Sequence, residues 1–256
     1  MRAGFTVITG ASSGIGAALA EQLAREGHRL ALIGRNGERL ASVAAACRAA
    51  GADCTPHVVD IRDRTVLQDV LASIEAEGPI DLFISNAGIL DGRRQGQAVE
   101  DGDAAHRVLD TNLLSSIAAV HMVLPGMRER RRGRLLLIAS LAAFAPLPDA
   151  PAYSAAKAGL LSYGVALREA LRDEGIRVCV ACPGYVTSGM SAQHLGHRPG
   201  EIPAAAAAVR ILKALERDRA ISGFPFPLYW SSRLSLLVPA AIRRLGMRGL
   251  RFHVGG

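Results

Sequence analysis

The sequence predicts a doubly wound α/β fold, in which helices cover both faces of a parallel sheet. Short apolar runs alternate along the chain with longer segments of helical period, which is the pattern of repeated strand–helix–strand units. The apolar runs are hydrophobic on both faces, as strands of a covered parallel sheet must be. The 256 residues suit one such domain, and the 50% hydrophobic content argues against disorder.

Each element of this pattern has its own run in the sequence. Strands are predicted at residues 5–9, 29–33, 81–85, 134–140 and 176–182, and residues 57–60 are predicted to end a further strand, the third in chain order. Helices are predicted at residues 14–27, 38–50, 62–77, within 99–131, at 152–174 and in the alanine run 204–208. No linker or repeat precedes residue 190. We therefore expect residues 1–256 to form one domain, in which residues from about 188 on form a substrate loop and a C-terminal extension.

The charge balance favours an anionic partner. Lys and Arg number 30 against 23 Asp and Glu, a net charge of +7, which suits a phosphate-bearing cofactor, a membrane surface or a nucleic acid. Aromatic residues make up only 4% of the chain and offer few stacking platforms, so we expect no nucleic acid. No apolar run reaches the roughly 20 residues of a membrane-spanning helix, and no signal peptide is recognisable. A soluble, cytoplasmic protein is expected.

The cysteines and histidines predict neither disulfides nor a metal site. The four cysteines are sparse, and Cys179 and Cys182 lie three apart in a predicted strand, where their side chains would point to opposite faces. His194 and His197 have the spacing of a helical metal pair, but Pro199 and a nearby glycine predict a loop there. We expect small core thiols and no bound metal.

A glycine-rich turn follows the first strand. Its residues are Thr9, Gly10, Ser12, Ser13, Gly14, Ile15 and Gly16. Glycines let the backbone approach a ligand, and the N-terminus of the next helix presents free N–H groups and a positive dipole end to a phosphate. The turn therefore predicts a dinucleotide site on a Rossmann-type sheet. The same residues contain the Gly-x-Ser-x-Gly pattern of α/β hydrolases, but this turn is the first in the chain and a better catalytic set follows.

The end of the second strand indicates which dinucleotide is bound. An acid at this position would accept a hydrogen bond from the ribose 2′-hydroxyl of NAD. The strand ends instead with Ile33, Gly34 and Arg35. A guanidinium suits a 2′-phosphate by its charge and its forked geometry, so the sequence favours NADP over NAD.

Tyr153 and Lys157 form a candidate catalytic pair. They lie four residues apart in a predicted helix and so share one face. A neighbouring ammonium group lowers the pKa of a phenol, which would make Tyr153 a usable proton donor and acceptor. Ser140 ends the preceding predicted strand, where its side chain would point into the ligand crevice.

Together these motifs resemble those of the short-chain dehydrogenases/reductases, in the family's short single-domain form. The resemblance runs from about Phe5 to Met190. Further positions match the family's motifs: Asp60 after the third strand, Asn86 and Gly88 of the N-A-G motif, Asn112 in the long helix, and Pro183, Gly184 and Thr187 after the sixth strand. All motifs occur in the family's order and spacing, which is far more specific than any one of them.

The resemblance implies an NADP(H)-dependent oxidoreductase that transfers a hydride between nicotinamide and a carbonyl or alcohol. It implies that Tyr153 exchanges a proton with the substrate oxygen and that Ser140 hydrogen-bonds the same oxygen. It also implies that Lys157 holds the nicotinamide ribose and that Asn112 positions a water. The implied cofactor-binding residues are Gly10, Ser12, Ser13, Gly14, Ile15, Gly16, Arg35, Asp60, Asn86, Gly88, Tyr153, Lys157, Pro183, Gly184 and Thr187.

The substrate and the function class leave alternatives open. The residues expected to border the substrate are apolar, which favours a hydrophobic carbonyl compound; they are Leu90, Phe144, Leu147, Tyr185 and Met190. A protein that binds NADP(H) as a sensor, without turnover, is the alternative from a different class. The longer sugar-nucleotide epimerases also use a Tyr–Lys pair, but this chain has little room for their larger substrate domain.

The C-terminal extension has three interpretations. Residues 221–252 combine apolar, aromatic and basic residues, which is typical of an amphipathic, helical element. It would cap the substrate pocket, pack in a subunit interface or make a peripheral contact with a membrane surface. The C-terminal segment common in tetrameric members of the family is not recognisable, so a homodimer is expected as much as a homotetramer.

Overall fold

The computed structural model describes residues 4–192, 194–239 and 252–254. The strands of the main sheet are β1 (Phe5–Thr9), β2 (Arg29–Gly34), β3 (Cys54–Val58), β4 (Ile80–Ser85), β5 (Gly133–Ile138), β6 (Ile176–Pro183) and β10 (Ile221–Phe224). Short strands outside it are β7 (Val186–Thr187), β8 (His194–Leu195), β9 (Ile202–Pro203) and β11 (His253–Val254). The helices are α1 (Gly14–Arg25), α2 (Gly37–Ala49), α3 (Arg64–Glu77), α4 (Gly102–Leu109), α5 (Ser115–Glu129), α6 (Pro151–Ala170), α7 (Gly189–Ala192), α8 (Ala204–Glu216) and α9 (Phe226–Leu234).

The main sheet is parallel throughout, with the strand order β10-β6-β5-β4-β1-β2-β3. β1 is flanked by β2 on one side and by β4 on the other, so the order reverses where the chain crosses from β3 to β4. Beside such a reversal a crevice opens outside the carboxyl ends of the strands, and ligands bind there. The predicted Rossmann-type, doubly wound α/β fold is confirmed.

Helices cover both faces of this sheet and enclose two apolar cores. Neighbouring residues of a strand point to opposite faces. Val7 accordingly packs in the core that holds residues of α3, α5 and α6, whereas Ile8 packs in the core that holds residues of α1, α2 and α8. The four cysteines are buried free thiols.

Several elements differ from their predicted extents. The helix predicted at 152–174 ends at Ala170, before a separate 3₁₀ turn (Arg172–Glu174), and the strand predicted at 134–140 ends at Ile138, because Ser140 begins the next turn as its N-cap. The strand Ile221–Phe224 is absent from the predicted set, because its four residues fall in the segment assigned to the C-terminal extension. Its pairing with β6 adds a seventh strand at one edge of the sheet. The third strand ends at Val58 rather than Asp60, because its pairing with β2 stops at Gly34 and the chain then turns away.

The long helix predicted within residues 99–131 is interrupted in its middle. α4 and α5 are joined by a π-helical turn, Asp110–Leu114. Together they form Gly102–Glu129, the one helical run in the described part of the chain that is long and apolar enough to cross a membrane. Half of its most apolar window is buried inside the molecule, and α5 packs on α3. A core helix of a soluble protein meets the same criterion, so the run is weak evidence for a membrane span.

Candidate active site

A cavity of about 750 Å³ opens at the carboxyl ends of the central strands. Most of the residues predicted for the site line it: Gly10, Ser12, Ser13, Gly14, Ile15, Arg35, Asp60, Asn86, Gly88, Ser140, Tyr153, Lys157, Pro183 and Gly184. Three predicted residues do not line it, namely Gly16, Asn112 and Thr187. The structure therefore brings the glycine turn, the Tyr–Lys pair and Ser140 to one place, at the reversal in strand order.

The glycine turn is held by hydrogen bonds between the ends of β1 and β4. The Thr9 hydroxyl donates to the carbonyl of Ile84 at 3.3 Å and accepts from the backbone N–H groups of Asn86 and Ala87 at 3.0 and 3.2 Å. The Asn86 amide in turn donates to the carbonyls of Thr9 and Gly10 at 3.1 and 3.0 Å. Both side chains therefore fix the course of the turn.

The turn leaves a cradle that fits a dinucleotide phosphate. Gly10 has a φ of +67°, and a Cβ there would lie 2.6 Å from the Cα of Ala87, so no other residue fits. Ser13 precedes α1 but its side chain makes no capping hydrogen bond. The N–H groups of the first turn of α1 are therefore free of a side-chain partner at the end of the helix where the dipole favours an anion.

The opposite end of the cavity is basic. Arg35 lines it with a side chain that is 55% exposed, 3.8 Å from the carboxylate of Asp60. The guanidinium of Arg62 hydrogen-bonds that carboxylate much more closely, at 2.7 and 3.1 Å, and holds the pKa of Asp60 below its usual range. Arg39, on the first turn of α2, also lines the cavity. Arg39 is not among the predicted site residues, because an arginine on a helix surface has no distinguishing signal in the sequence.

The catalytic candidates lie around the other end of the cavity. Ser140 follows β5 and hydrogen-bonds the hydroxyl of Tyr153 on α6. Its hydroxyl oxygen also accepts from the N–H of Ala142 at 3.1 Å, which fixes the side chain. Lys157 lies one turn further along α6, only 4% exposed, and its ammonium group donates to the carbonyl of Ile138 at 2.9 Å. The end of β5 thus contributes Ser140 to the catalytic candidates, and α6 contributes Tyr153 and Lys157.

The pKa shifts of this set differ from the expectation. We expected the ammonium group of Lys157 to lower the pKa of Tyr153. Burial instead raises the pKa of Tyr153, and the hydrogen bond with Ser140 lowers it by less. The Lys157 nitrogen lies 5.8 Å from the centre of the tyrosine ring, and burial lowers the pKa of Lys157 itself to about 8. The expected lowering of the Tyr153 pKa is therefore wrong, because desolvation dominates.

Asn112 acts on the site through the backbone. It is fully buried in the π-helical turn Asp110–Leu114. Its amide oxygen accepts from the N–H of Ile89 at 2.7 Å and its amide nitrogen donates to the Ile89 carbonyl at 2.8 Å. Both groups of this side chain are therefore used to hold the loop after β4, beside Gly88. The implied role of Asn112 in positioning a water stays a prediction.

Thr187 lies on the exposed side of β7, outside the cavity lining. The two residues after it, Ser188 and Gly189, line the cavity instead. The implied contact of Thr187 with the cofactor stays a prediction. Gly16 lies behind the turn, where a Cβ would come within 2.3 Å of the Gly10 carbonyl oxygen.

The substrate side of the cavity is mostly apolar. Of the residues expected there, Leu90, Leu147, Tyr185 and Met190 line it. Phe144 does not, because its ring packs edge-on against Tyr229 at a centroid distance of 5.7 Å. Leu228 and Ser232 are among the lining residues that were not predicted, because they lie on α9, in the segment with no recognisable motif.

The C-terminal residues 252–254 return to this side of the cavity. β11 pairs antiparallel with β8, and the N–H of Phe252 donates to the buried carboxylate of Asp149 at 3.0 Å. The Asp149 carboxylate also pairs with the guanidinium of Arg93. Phe252 and Val254 are buried in a small cluster against which Tyr153 packs. This part of the extension therefore supports the wall of the cavity, while residues 240–251 lie outside the described residues.

No group of three or more His, Cys, Asp or Glu side chains that could hold a metal ion occurs within residues 4–192, 194–239 and 252–254. Ser140, Tyr153 and Lys157 line one end of the cavity, with the cradle for phosphate beside them. A dinucleotide that supplies a hydride fits this arrangement, because Tyr153 is a phenol that lines the cavity beside a buried amine and can exchange a proton with a carbonyl oxygen.

Known proteins share both the sequence pattern and the fold. The family model for short chain dehydrogenases matches residues 5–198. An uncharacterized oxidoreductase of Myxococcus xanthus is 34% identical over 245 residues, which cover 93% of this chain and 96% of that protein. Ketoacyl reductase HetN of a Nostoc species is 35% identical over 188 residues, covering 72% of this chain and 64% of that protein.

Solved structures agree with this relationship. A variant of actinorhodin polyketide ketoreductase, solved with NADPH, superposes with a TM-score of 0.80 at 25% identity, covering 89% of this chain and 97% of that one. A short chain dehydrogenase/reductase from Burkholderia phymatum, solved with NAD, has a TM-score of 0.83 at 23% identity and covers 92% and 93%, which shows the shared fold. The chain is an oxidoreductase of the short chain dehydrogenase family.

Proposed function

We propose that the protein is an NADPH-dependent carbonyl reductase that acts on ketones with an apolar body. The observation that carries this proposal is the arrangement of Ser140, Tyr153 and Lys157 in one cavity with the glycine turn. A nicotinamide cofactor supplies the hydride when it is bound. The chain itself has to bind the cofactor, orient the carbonyl group and deliver a proton to the carbonyl oxygen.

The proton is handled by three side chains. The Tyr153 hydroxyl faces the cavity and donates the proton to the carbonyl oxygen, while the Ser140 hydroxyl stabilises the negative charge that develops there. Lys157 lies behind the tyrosine with a pKa of about 8, close to neutral pH, which suits a group that restores a proton. The same groups serve alcohol oxidation in reverse.

The preference for NADPH rests on the basic end of the cavity. Arg35 and Arg39 both line it, and the residue that ends β2 is Gly34, which provides no carboxylate for a ribose 2′-hydroxyl. Asp60 lines the cavity too, but Arg62 is paired with its charge. The two solved structures described above contain NADPH and NAD, respectively, so they do not distinguish between the cofactors. The preference for NADPH is therefore argued from these residues of this chain.

The substrate class follows from the lining of the other end. Leu90, Leu147, Met190 and Leu228 offer no charged group to bind a polar substrate. The related HetN and actinorhodin enzymes are named ketoacyl and polyketide ketoreductases, which supports a ketone carried on an acyl chain. Methyl ketones of increasing length and an acetoacetyl thioester are therefore the first substrates to assay, and turnover confined to sugars would contradict the proposal.

Cofactor choice is tested by titrating the purified protein with NADPH and with NADH, using nicotinamide fluorescence. NADPH should bind more tightly, and Arg35→Ala should weaken NADPH binding about 10- to 100-fold while leaving NADH unchanged, as expected for one charge-assisted contact of about 1.5–3 kcal/mol. Arg39→Ala should act in the same direction. Arg217→Ala, at an exposed arginine on the far end of α8, is the matched control. Equal binding of both cofactors would refute the preference for NADPH.

Catalysis is tested separately with Tyr153→Phe. An enzyme should lose turnover by several orders of magnitude and keep its affinity for NADPH, because only the hydroxyl is removed. A sensor protein would show no turnover in the wild type with any ketone and no change in NADPH binding in the variant. The two function classes therefore give different results in one pair of measurements.

A further inference from the structure

The outer face of α9 carries four exposed apolar side chains in a row, Phe226, Trp230, Leu234 and Leu237. They are 70, 46, 53 and 80% exposed, respectively. Their spacing of four, four and three residues places them on one side of α9 and of the 3₁₀ turn that continues it, Ser235–Leu237. The rings of Phe226 and Trp230 touch, with centroids 6.1 Å apart. We call these four residues the α9 stripe; a continuous exposed patch of this kind marks an interaction surface.

The other face of α9 is already packed against the protein. Tyr229 and Ser232 are buried, and Tyr229 lies against Phe144. The hydroxyl of Ser235 donates to the carbonyl of Phe144 at 3.1 Å. The helix is thus fixed on the body of the molecule, and the α9 stripe is what it presents outward.

The sequence around the stripe is basic and contains no acid. Residues 219–256 include no Asp or Glu and six arginines, which are Arg219, Arg233, Arg243, Arg244, Arg248 and Arg251. This segment therefore carries six of the chain's seven net positive charges. An apolar stripe that includes a tryptophan and a phenylalanine, in a segment of sequence rich in arginine, is the combination that binds the headgroup region of anionic lipids.

We propose that the α9 stripe binds the surface of an anionic lipid bilayer, whose negative charge also attracts this basic segment of the sequence. A symmetric contact between two copies would bring the same patch of both subunits together, and with it two basic segments that contain no acid. Like charges in one contact repel, whereas an anionic lipid surface neutralises them. Charge complementarity therefore favours the bilayer over a second copy, and this proposal does not depend on the proposed function.

Trp230 makes the proposal directly measurable, because it is the only tryptophan in the chain. Vesicles of phosphatidylcholine containing about 40% phosphatidylglycerol should shift the emission of Trp230 to shorter wavelength and should sediment with the protein. Vesicles of phosphatidylcholine alone should do much less. Salt at about 0.5 M should weaken the binding, since the attraction to the headgroups is screened.

The variant pair Phe226→Ser with Leu234→Ser tests the stripe and keeps the fluorescent reporter. Its sedimentation with anionic vesicles should fall at least tenfold. The matched control is Val58→Ser with Val99→Ser, at two apolar residues that are similarly exposed, 62 and 58%, but lie far from α9 in the chain. The control should bind vesicles as the wild type does, and both pairs should keep the circular dichroism of the folded protein.

Three results would overturn the proposal. One is the absence of any emission shift or sedimentation with anionic vesicles at low salt. Another is equal binding by the stripe variant and the control, which would show that the arginines act without the stripe. The third is a dimer in light scattering that becomes a monomer only in the stripe variant, which would identify the stripe as a subunit interface.

Discussion

Replacing Lys157 by methionine should abolish carbonyl reduction and at the same time make the protein more stable at neutral pH. Lys157 is 4% exposed, and the hydrogen bond of its ammonium group to the Ile138 carbonyl does not compensate for the lost hydration. Burial accordingly lowers the pKa of Lys157 from 10.5 to about 8. Methionine has a similar length and no charge, so it fits the same apolar surroundings without this penalty.

The size of the effect follows from the pKa. The fall from 10.5 to about 8 corresponds to about 3 kcal/mol of penalty for the charged form. The Ile138 carbonyl loses its donor in the variant, which costs about 1 kcal/mol. The net gain in the free energy of unfolding is therefore about 2 kcal/mol at pH 7, equivalent to a rise in Tm of about 4 to 8 °C for a chain of this size.

The difference in stability between the wild type and the Lys157→Met variant should decrease as the pH rises. Above pH 8 the folded protein has released the Lys157 proton while the unfolded chain still binds it, so the wild type gains stability as pH rises towards 10.5. The advantage of the variant is therefore complete below pH 8 and declines above it. At pH 9.5 the penalty in the wild type falls to about 1 kcal/mol, and the two proteins should be nearly equal.

Urea unfolding at pH 7 and at pH 9.5 measures this difference. The control is Lys213→Met, because Lys213 is the only other lysine in the chain and is exposed on α8. It should change stability little at either pH. A Lys157→Met protein that is less stable than the wild type at pH 7, or a difference between the two that does not vary with pH, would refute the reasoning.

Three further predictions concern the same region. In the wild type, kcat/KM for ketone reduction should fall above pH 8, because Lys157 then carries no proton to return, and kcat/KM for alcohol oxidation should rise up to the same pH. Lys157→Arg should remove this dependence on pH. An unchanged pH profile in the variant would exclude Lys157 as the titrating group. Gly10→Ala should lower stability by about 1–2 kcal/mol and weaken NADPH binding in a fluorescence titration, because the new Cβ would lie 2.6 Å from the Cα of Ala87; unaltered binding would show that the turn adjusts. Asp149→Ala should cost about 3–5 kcal/mol in thermal unfolding because Arg93 loses its buried partner, and a cost below about 1 kcal/mol would show that the ion pair contributes little.

The fold and the cofactor side of the site are accessible from the sequence because their signals are local. The turn from Thr9 to Gly16 occupies a few consecutive residues, and Tyr153 and Lys157 are one helical turn apart. Arg39, by contrast, has the same local surroundings as any arginine on a helix surface. Only the orientation of α2 towards the cavity distinguishes it.

The features that could not be predicted from the sequence depend on burial or on contacts between residues far apart in the chain. The pKa of Tyr153 depends on how far the folded protein excludes water from the phenol, and sequence spacing to Lys157 carries no information about that. The strand Ile221–Phe224 is recognisable only through its pairing with β6. Likewise, nothing in the residues around Phe252 indicates that they reach Asp149.

The contact between Phe252 and Asp149 has a consequence for how the two sides of the cavity are assembled. It joins residues 103 positions apart in sequence, so a large loop has to close before this wall of the cavity exists. The phosphate cradle depends on a long-range contact as well, because Asn86 and Thr9 are 77 positions apart. The entropic cost of closing a loop rises only slowly with its length, so neither side of the cavity has a clear advantage over the other. Nucleotide binding and enclosure of the substrate side should therefore recover together during refolding.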